Sequence, residues 1–125
     1  MLKKFDFSKY DETINNLSTK DLCKKLATLQ RRIMEQQIPV LIIVDGWGGS
    51  GKGYVISKIR EEMDPRFYQA SLFEMPTEEE QQRPFLWRFW KEIPPKGHMA
   101  FFDQSFYHHL LNDYKLDTNQ LVLDI

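Results

Sequence analysis

Apolar residues along this chain fall into short unbroken runs separated by segments of helical periodicity. Val40-Leu41-Ile42-Ile43-Val44 is consecutively apolar and mostly β-branched, which predicts a strand buried on both faces. Ahead of it, Leu22, Leu26, Leu29 and Ile33 recur at helical spacing, with Ser18 or Thr19 as cap and Asp21 in the first turn. Ile38-Pro39 ends that helix. Val55, Ile56, Ile59 and Met63 predict a second helix, stopped by Asp64-Pro65-Arg66. Tyr68 to Phe73 is a second strand candidate. Thr77 with Glu80 forms a capping-box pattern, starting a helix that runs to about Glu92 and is kinked or divided at Pro84. Pro94-Pro95-Lys96-Gly97 is a turn, His98 to Phe102 a third strand ending at Asp103, and Ser105 to Asn112 a short helix. Met1 to about Thr19 is polar with Phe5, Phe7 and Tyr10, and reads as an arm or short helix lying on other structure. Tyr114 to Ile125 alternates apolar residues without a clear partner.

Strands and helices that alternate in this way predict an α/β fold, with a parallel sheet covered by helices on its faces. Three strands make a thin sheet, and the pattern still looks ready to continue at Ile125. The expectation is therefore a partial domain. Residues 1–37 form an arm and helix, and residues 38–125 carry the start of a P-loop, three-layer α/β/α unit.

Charge and cysteine content narrow the partners. With 17 basic and 18 acidic residues the net charge is −1, which predicts no overall attraction to nucleic acid or to an anionic membrane. Cys23 is the single cysteine, so no intramolecular disulfide framework exists; it reads as a small packing residue. No stretch resembles a signal peptide or reaches membrane-spanning length, and the default compartment is the cytoplasm.

Candidate chemistry concentrates after the first strand. Gly46 to Lys52 fits G-x-x-x-x-G-K, and the strand before it and helix after it are the setting that a phosphate loop requires. A phosphate chain must lie against bare backbone N–H groups at a helix N-terminus, so side chains are absent where it approaches. Gly46, Gly48, Gly49, Ser50, Gly51, Lys52 and Gly53 are the candidate phosphate-binding residues, and Lys52 reaches the outer phosphates as a mobile charge. The plainer alternative is a tight glycine turn with no ligand. Gly53 stands where many such loops carry a Ser or Thr for Mg²⁺, so the metal is expected to be held from elsewhere.

Asp103, directly after the third strand, is the candidate metal ligand, against the alternative of an ordinary strand-end turn residue. Arg66 and Arg88 are candidate anion contacts, and Arg83 a weaker one, because guanidinium groups grip phosphate oxygens bidentately; solvated helix arginines are the alternative. Trp87, Phe89 and Trp90 could stack a nucleobase, although aromatics at helical spacing more often form core. His98, His108 and His109 lack any metal-ligand companion, so no zinc site is predicted.

Several segments together resemble the polyphosphate kinase 2 family of P-loop phosphotransferases. They are GWGGSGKG (Gly46–Gly53), DPR (Asp64–Arg66), PTEEE (Pro76–Glu80), WRFW (Trp87–Trp90), PPKG (Pro94–Gly97) and FFDQSFYHHLLND (Phe101–Asp113). Most of all the chain is similar to the first half of the tandem polyphosphate:AMP phosphotransferases. The resemblance implies transfer of a phosphoryl group between inorganic polyphosphate and an adenine nucleotide, AMP or ADP, with Mg²⁺ as cofactor. It implies that Lys52 and the loop amides bind phosphates, that Asp103 binds Mg²⁺, and that Lys52, Asp103 and Arg88 serve catalysis. Arg66 joins the phosphate-binding set, and Pro76, Thr77 and Glu80 fall on the acceptor-side loop. The likeness to a tandem protein implies pairing with a second domain of the same family; separately, the helices Leu22–Ile33 and Phe85–Trp90 offer apolar surface that a partial domain leaves open, which predicts a homo-oligomer.

The chain also departs from the family pattern. The family loop usually reads G-x-D-A-A-G-K-G, and its aspartate is Gly48 here. Its second acidic motif usually reads F-D-R-S-W-Y; the arginine is Gln104, the tryptophan Phe106, and the next expected arginine His109. Lys52 and Asp103 favour a phosphotransferase. Gly48, Gln104 and His109 favour a non-catalytic copy that binds phosphate or nucleotide, or that serves as a dimerisation half, with little or no turnover from this stretch alone. A small kinase using ATP alone is a third reading, opposed by the PTEEE and WRFW segments.

Overall fold

The computed structural model describes residues 16–112. The expectations for the N-terminal arm ahead of residue 16 and for Tyr114–Ile125 lie outside the described residues. Helix α1 (Thr19–Glu35) leads into strand β1 (Val40–Val44), then helix α2 (Lys52–Arg60) and a 3₁₀ turn at Pro65–Phe67. Strand β2 (Tyr68–Leu72), short helices α3 (Glu78–Gln81) and α4 (Trp87–Trp90), strand β3 (Met99–Asp103) and helix α5 (Phe106–Asn112) follow.

The sheet is parallel, in the order β1-β3-β2. Its register pairs Val44 and Leu72 with Asp103, so all the strands end on one rung. β3, the most apolar strand in its surroundings, takes the centre: Ala100 and Phe101 are fully buried and Phe102 almost so. On one face Ile33 of α1 and Ile56 of α2 pack with Phe101 and Met99, against Val40, Ile42 and Val44. On the other, Phe73 and Phe89 pack with Ala100 and Phe102, joined by Phe85, Leu86 and Phe106. The rings of Phe73 lie 4.5 Å from Phe89 and 4.8 Å from Phe102, the tilted or edge contacts that aromatic clusters favour. The result is the three-layer α/β/α arrangement expected from the alternation of elements.

Local signals explain most boundaries. Ser18 caps α1, its side chain accepting from the N–H of Asp21. Thr77 and Glu80 complete the capping box of α3, and the helix expected to reach Glu92 is divided at Pro84 into α3 and α4. Gln37, with φ 56°, closes α1 in the left-handed region while Ile38 N–H returns to Ile33 O at 3.1 Å.

Three burial expectations are corrected. β1 is not buried on both faces: Leu41 and Ile43 are 38% and 36% exposed. The reason is position, because β1 is a sheet edge among the described residues, and the aromatic layer on the far face packs on Ala100 and Phe102 of β3 and takes in no residue of β1. In α1 the buried face is Cys23, Gln30 and Ile33, and Leu29 is 46% exposed. Gln30 replaces an apolar residue there because it pairs both ways with a backbone amide. Its Nε2 donates to Asp64 O at 2.9 Å, and its Oε1 accepts from Asp64 N–H at 2.8 Å. In α2, likewise, Ile56 is buried whereas Val55 is 47% exposed. Cys23 is buried as a packing residue, its Sγ 3.2 Å from Lys58 O.

Candidate functional site

The site grows from the rung that ends the sheet. Asp45 and Gly46 leave β1 just beyond the Val44–Asp103 pair, so the glycine loop starts beside the end of β3. Its backbone needs glycine at particular places: Gly49 and Gly51 have φ of 77° and 89°, the region that L side chains avoid. Gly48 does not have a left-handed φ, and a Cβ there would meet nothing within 4 Å. Ser50 N–H donates to Trp47 O at 3.1 Å, closing the turn. Val55 N–H then donates to Gly51 O as α2 begins. No side chain caps α2, so its first N–H groups are left at the loop, as in helix N-termini that bind anions.

Lys52, the first residue of α2, lays its ammonium across the loop, donating to Gly46 O at 2.9 Å and Trp47 O at 3.0 Å. Asp103 ends β3 with Oδ1 buried and without a hydrogen-bond partner. A buried carboxylate oxygen lacking a donor is unfavourable by itself. A divalent cation is the partner that an acceptor-only oxygen beside a phosphate loop suits, so the residues present fit Mg²⁺.

The loop and the acidic strand end are fastened together by a pair that the sequence did not single out. The Asp45 carboxylate accepts from the N–H of Ser105 at 2.8 Å through Oδ1 and from the Ser105 hydroxyl through Oδ2. Ser105 is fully buried, and its Oγ also accepts from Tyr107 N–H at 3.2 Å, which caps α5. Gln104 between them has φ 58°, an unusual backbone state for a residue with a Cβ. The available signal was an acidic residue at the junction of strand and glycine loop.

The remaining candidates do not gather at the loop. Arg66 lies in the 3₁₀ turn ahead of β2, at the other end of the strands from the loop, set off by roughly 16 Å along the strand direction alone. There it pairs with Asp64 at 2.7 Å. Hydrogen bonds from its guanidinium, then from its own N–H, hold the Asp64 carboxyl below the usual aspartate value. Arg88 is 6% exposed. Its Nη1 donates to Glu74 O at 2.8 Å and reaches Glu80 Oε2 at 3.5 Å, while the guanidinium lies 4.9 Å from the Phe89 ring. It braces the segment that carries Pro76, Thr77 and Glu80. Arg83 is exposed, with its guanidinium over the Trp87 ring. Phe89 is core, as the plainer reading of that helix had it. His109 Nε2 lies 3.3 Å from Phe73 O.

Comparison with known proteins shows the family of the chain. The family model for polyphosphate kinase 2 matches residues 9–116. A polyphosphate:AMP phosphotransferase of Pseudomonas aeruginosa is 37% identical over 92 residues, covering 73% of this chain and 18% of that protein. An AMP/ADP-polyphosphate phosphotransferase of Meiothermus ruber is 31% identical over 94 residues, covering 69% of this chain and 35% of that protein. Among solved structures, one from Pseudomonas aeruginosa described as a polyphosphate kinase 2 superposes with a TM-score of 0.71 at 30% identity, covering 95% of this chain and 25% of that one. The chain therefore spans well under half the length of these relatives.

Proposed function

The chain belongs to the polyphosphate kinase 2 family, and we propose that it carries the phosphate-binding core of a phosphotransferase acting between inorganic polyphosphate and an adenine nucleotide. One observation carries this reading: the loop of Gly46–Gly53, with Lys52 across it, opens beside an Asp103 carboxylate oxygen that is buried and unpartnered. Phosphoryl transfer asks for positioning and charge neutralisation rather than covalent chemistry. The loop N–H groups and Lys52 bind and orient phosphate oxygens. Asp103 would hold Mg²⁺, which would supply neutralisation of phosphate charge. Arg88, buried against Phe89, supports the acceptor-side segment through Glu74 and Glu80.

A second reading rests on Gly48. No carboxylate projects from the middle of the loop, and Gln104 and His109 supply no fixed cation. Each such loss is worth on the order of 10²-fold in rate. Phosphate and nucleotide binding without turnover, in a domain that pairs with a second copy or with a catalytic domain of the same family, is the form that fits those residues. A cytoplasmic setting suits either reading, and no helix among the described residues is long and apolar enough to cross a membrane.

Phosphate transfer from polyphosphate to AMP or ADP, measured with Mg²⁺ on the full chain, tests the first reading. Turnover that vanishes in Lys52→Ala supports it. Binding of tripolyphosphate that depends on Lys52, with no turnover, supports the second. Absence of both binding and turnover would remove the phosphate-loop assignment altogether.

A further inference from the structure

A groove of about 240 Å³ runs from the glycine loop along α2, between that helix and β2. Gly53, Ser57 and Arg60 form one wall. They stand at i, i+4 and i+7, which puts them on a single helix face. Ala70 and Leu72 of β2 and Asp103 of β3 form the other wall. The groove is continuous with the loop, because Gly53 belongs to both.

Its polar content is unusual. Arg60 Nε and Asp103 Oδ1 are the buried side-chain polar atoms without a partner among the described residues, and both side chains line this one groove. Arg60 has no carboxylate within ion-pair distance among the described residues, and its guanidinium lies over the Tyr68 ring, 5.6 Å from its centroid. A buried guanidinium N–H without an acceptor is unfavourable unless something else supplies one. A cationic group and an acceptor-only oxygen in the same groove call for a ligand that presents anionic oxygens to one and a cation to the other. A metal-bound phosphate chain does both. The volume lies below the roughly 300–1,000 Å³ that holds a whole small molecule, so a phosphate segment fits and a complete nucleotide does not.

We infer that this groove is a phosphate subsite extending the loop, in which Arg60 and the Ser57 hydroxyl bind the oxygens of a linear phosphoanhydride chain. The inference rests on the phosphate-loop reading above and adds a second contact site to it. The chain is either the next phosphates of inorganic polyphosphate or the phosphate tail of the nucleotide.

The test titrates the full chain with tripolyphosphate and, separately, with ADP, both with Mg²⁺, in the wild type and in Lys52→Ala, Arg60→Gln, Arg60→Lys and Ser57→Glu. Arg60→Gln should weaken one of the ligands on the order of 10-fold or more, as expected for a lost charged hydrogen bond. Arg60→Lys should recover part of that loss, and Ser57→Glu should weaken binding further by placing a carboxylate on the groove wall. Loss confined to tripolyphosphate assigns the groove to the inorganic chain; loss confined to ADP assigns it to the nucleotide tail. Without ligand, Arg60→Gln should melt within a few degrees of the wild type, since Arg60 gives up no ion pair; a merely structural arginine would lower the melting temperature instead. Wild-type affinity in Arg60→Gln, alongside a loss in Lys52→Ala, overturns the subsite and leaves the loop reading intact. No binding by any variant, wild type included, overturns both.

Discussion

Asp45 and Ser105 are 60 residues apart in the chain, yet the carboxylate of one receives both the N–H and the hydroxyl of the other. The pair locks the residue just ahead of the glycine loop to the turn that follows Asp103. It fixes where the loop starts relative to the Val44–Asp103 rung. Replacing Asp45 with Ala leaves the fully buried Ser105 N–H without an acceptor, at a cost of about 1–3 kcal/mol. Asp45→Asn should cost less, because its carbonyl oxygen can still accept from the N–H. Urea unfolding of the two variants checks the order. Equal stability for Asp45→Ala and the wild type would mean that the pair does not hold the loop to the strand.

Arg88 predicts a structural phenotype. Truncation to Ala removes a buried charged donor from Glu74 O and a stacked partner from Phe89. The lost charged hydrogen bond alone is worth about 1.5–3 kcal/mol, and the lost packing adds to it. Arg88→Ala should therefore lower the urea midpoint before it alters phosphate binding. If affinity for tripolyphosphate falls while the midpoint is unchanged, Arg88 acts at the ligand instead.

The Asp64–Arg66 pair predicts a pH effect of defined sign. Hydrogen bonds from Arg66 lower the Asp64 value in the folded chain. Its contribution to stability is therefore fully present above the ordinary aspartate value of about 3.9, and is lost as pH falls through the lowered one. The stability difference between wild type and Asp64→Asn should shrink on acidification below about pH 4. An NMR titration of Asp64 should also move back toward the ordinary value in Arg66→Gln. An unchanged titration in that variant would show that Arg66 is not the cause.

The sequence made some of this legible and left other parts hidden, for physical reasons. The capping box at Thr77 and Glu80, the break at Pro84 and the glycine loop are local events, written in neighbouring residues. The parallel sheet followed from the alternation of strands and helices. Strand order did not, and it decides burial. Placing β3 in the centre leaves Leu41 and Ile43 on a partly open edge, where an unbroken apolar run had suggested a strand covered on both sides. Arg66 looked like a site residue from its motif, but a parallel strand carries the chain from one end of the sheet to the other, and Arg66 precedes β2 while the loop follows β1. Asp45 and Ser105 meet, and Arg60 and Asp103 come to line one groove, only through the fold, so no local pattern announces them.

Gly48 offers the sharpest test of what the loop lacks. A Cβ at this position meets nothing within 4 Å, and its φ is not left-handed. Gly48→Asp should consequently fold with stability within about 0.5 kcal/mol of the wild type, as substitutions at open surface positions do. Gly51→Asp, forced into φ 89°, should lose about 1–2 kcal/mol. The introduced carboxylate has opposite consequences with and without metal. Without Mg²⁺ it adds a negative charge to an anion site, and tripolyphosphate should bind more weakly than to the wild type. With Mg²⁺ it offers a second oxygen ligand near Asp103, and binding should become tighter. Calorimetric titrations at matched ionic strength, with Mg²⁺ or with chelator, read that reversal directly. If the carboxylate weakens binding equally in both, Asp103 and the loop do not share a cation. If the reversal appears together with new transfer to AMP or ADP, the loop geometry is competent and the missing acid alone had kept it from catalysis.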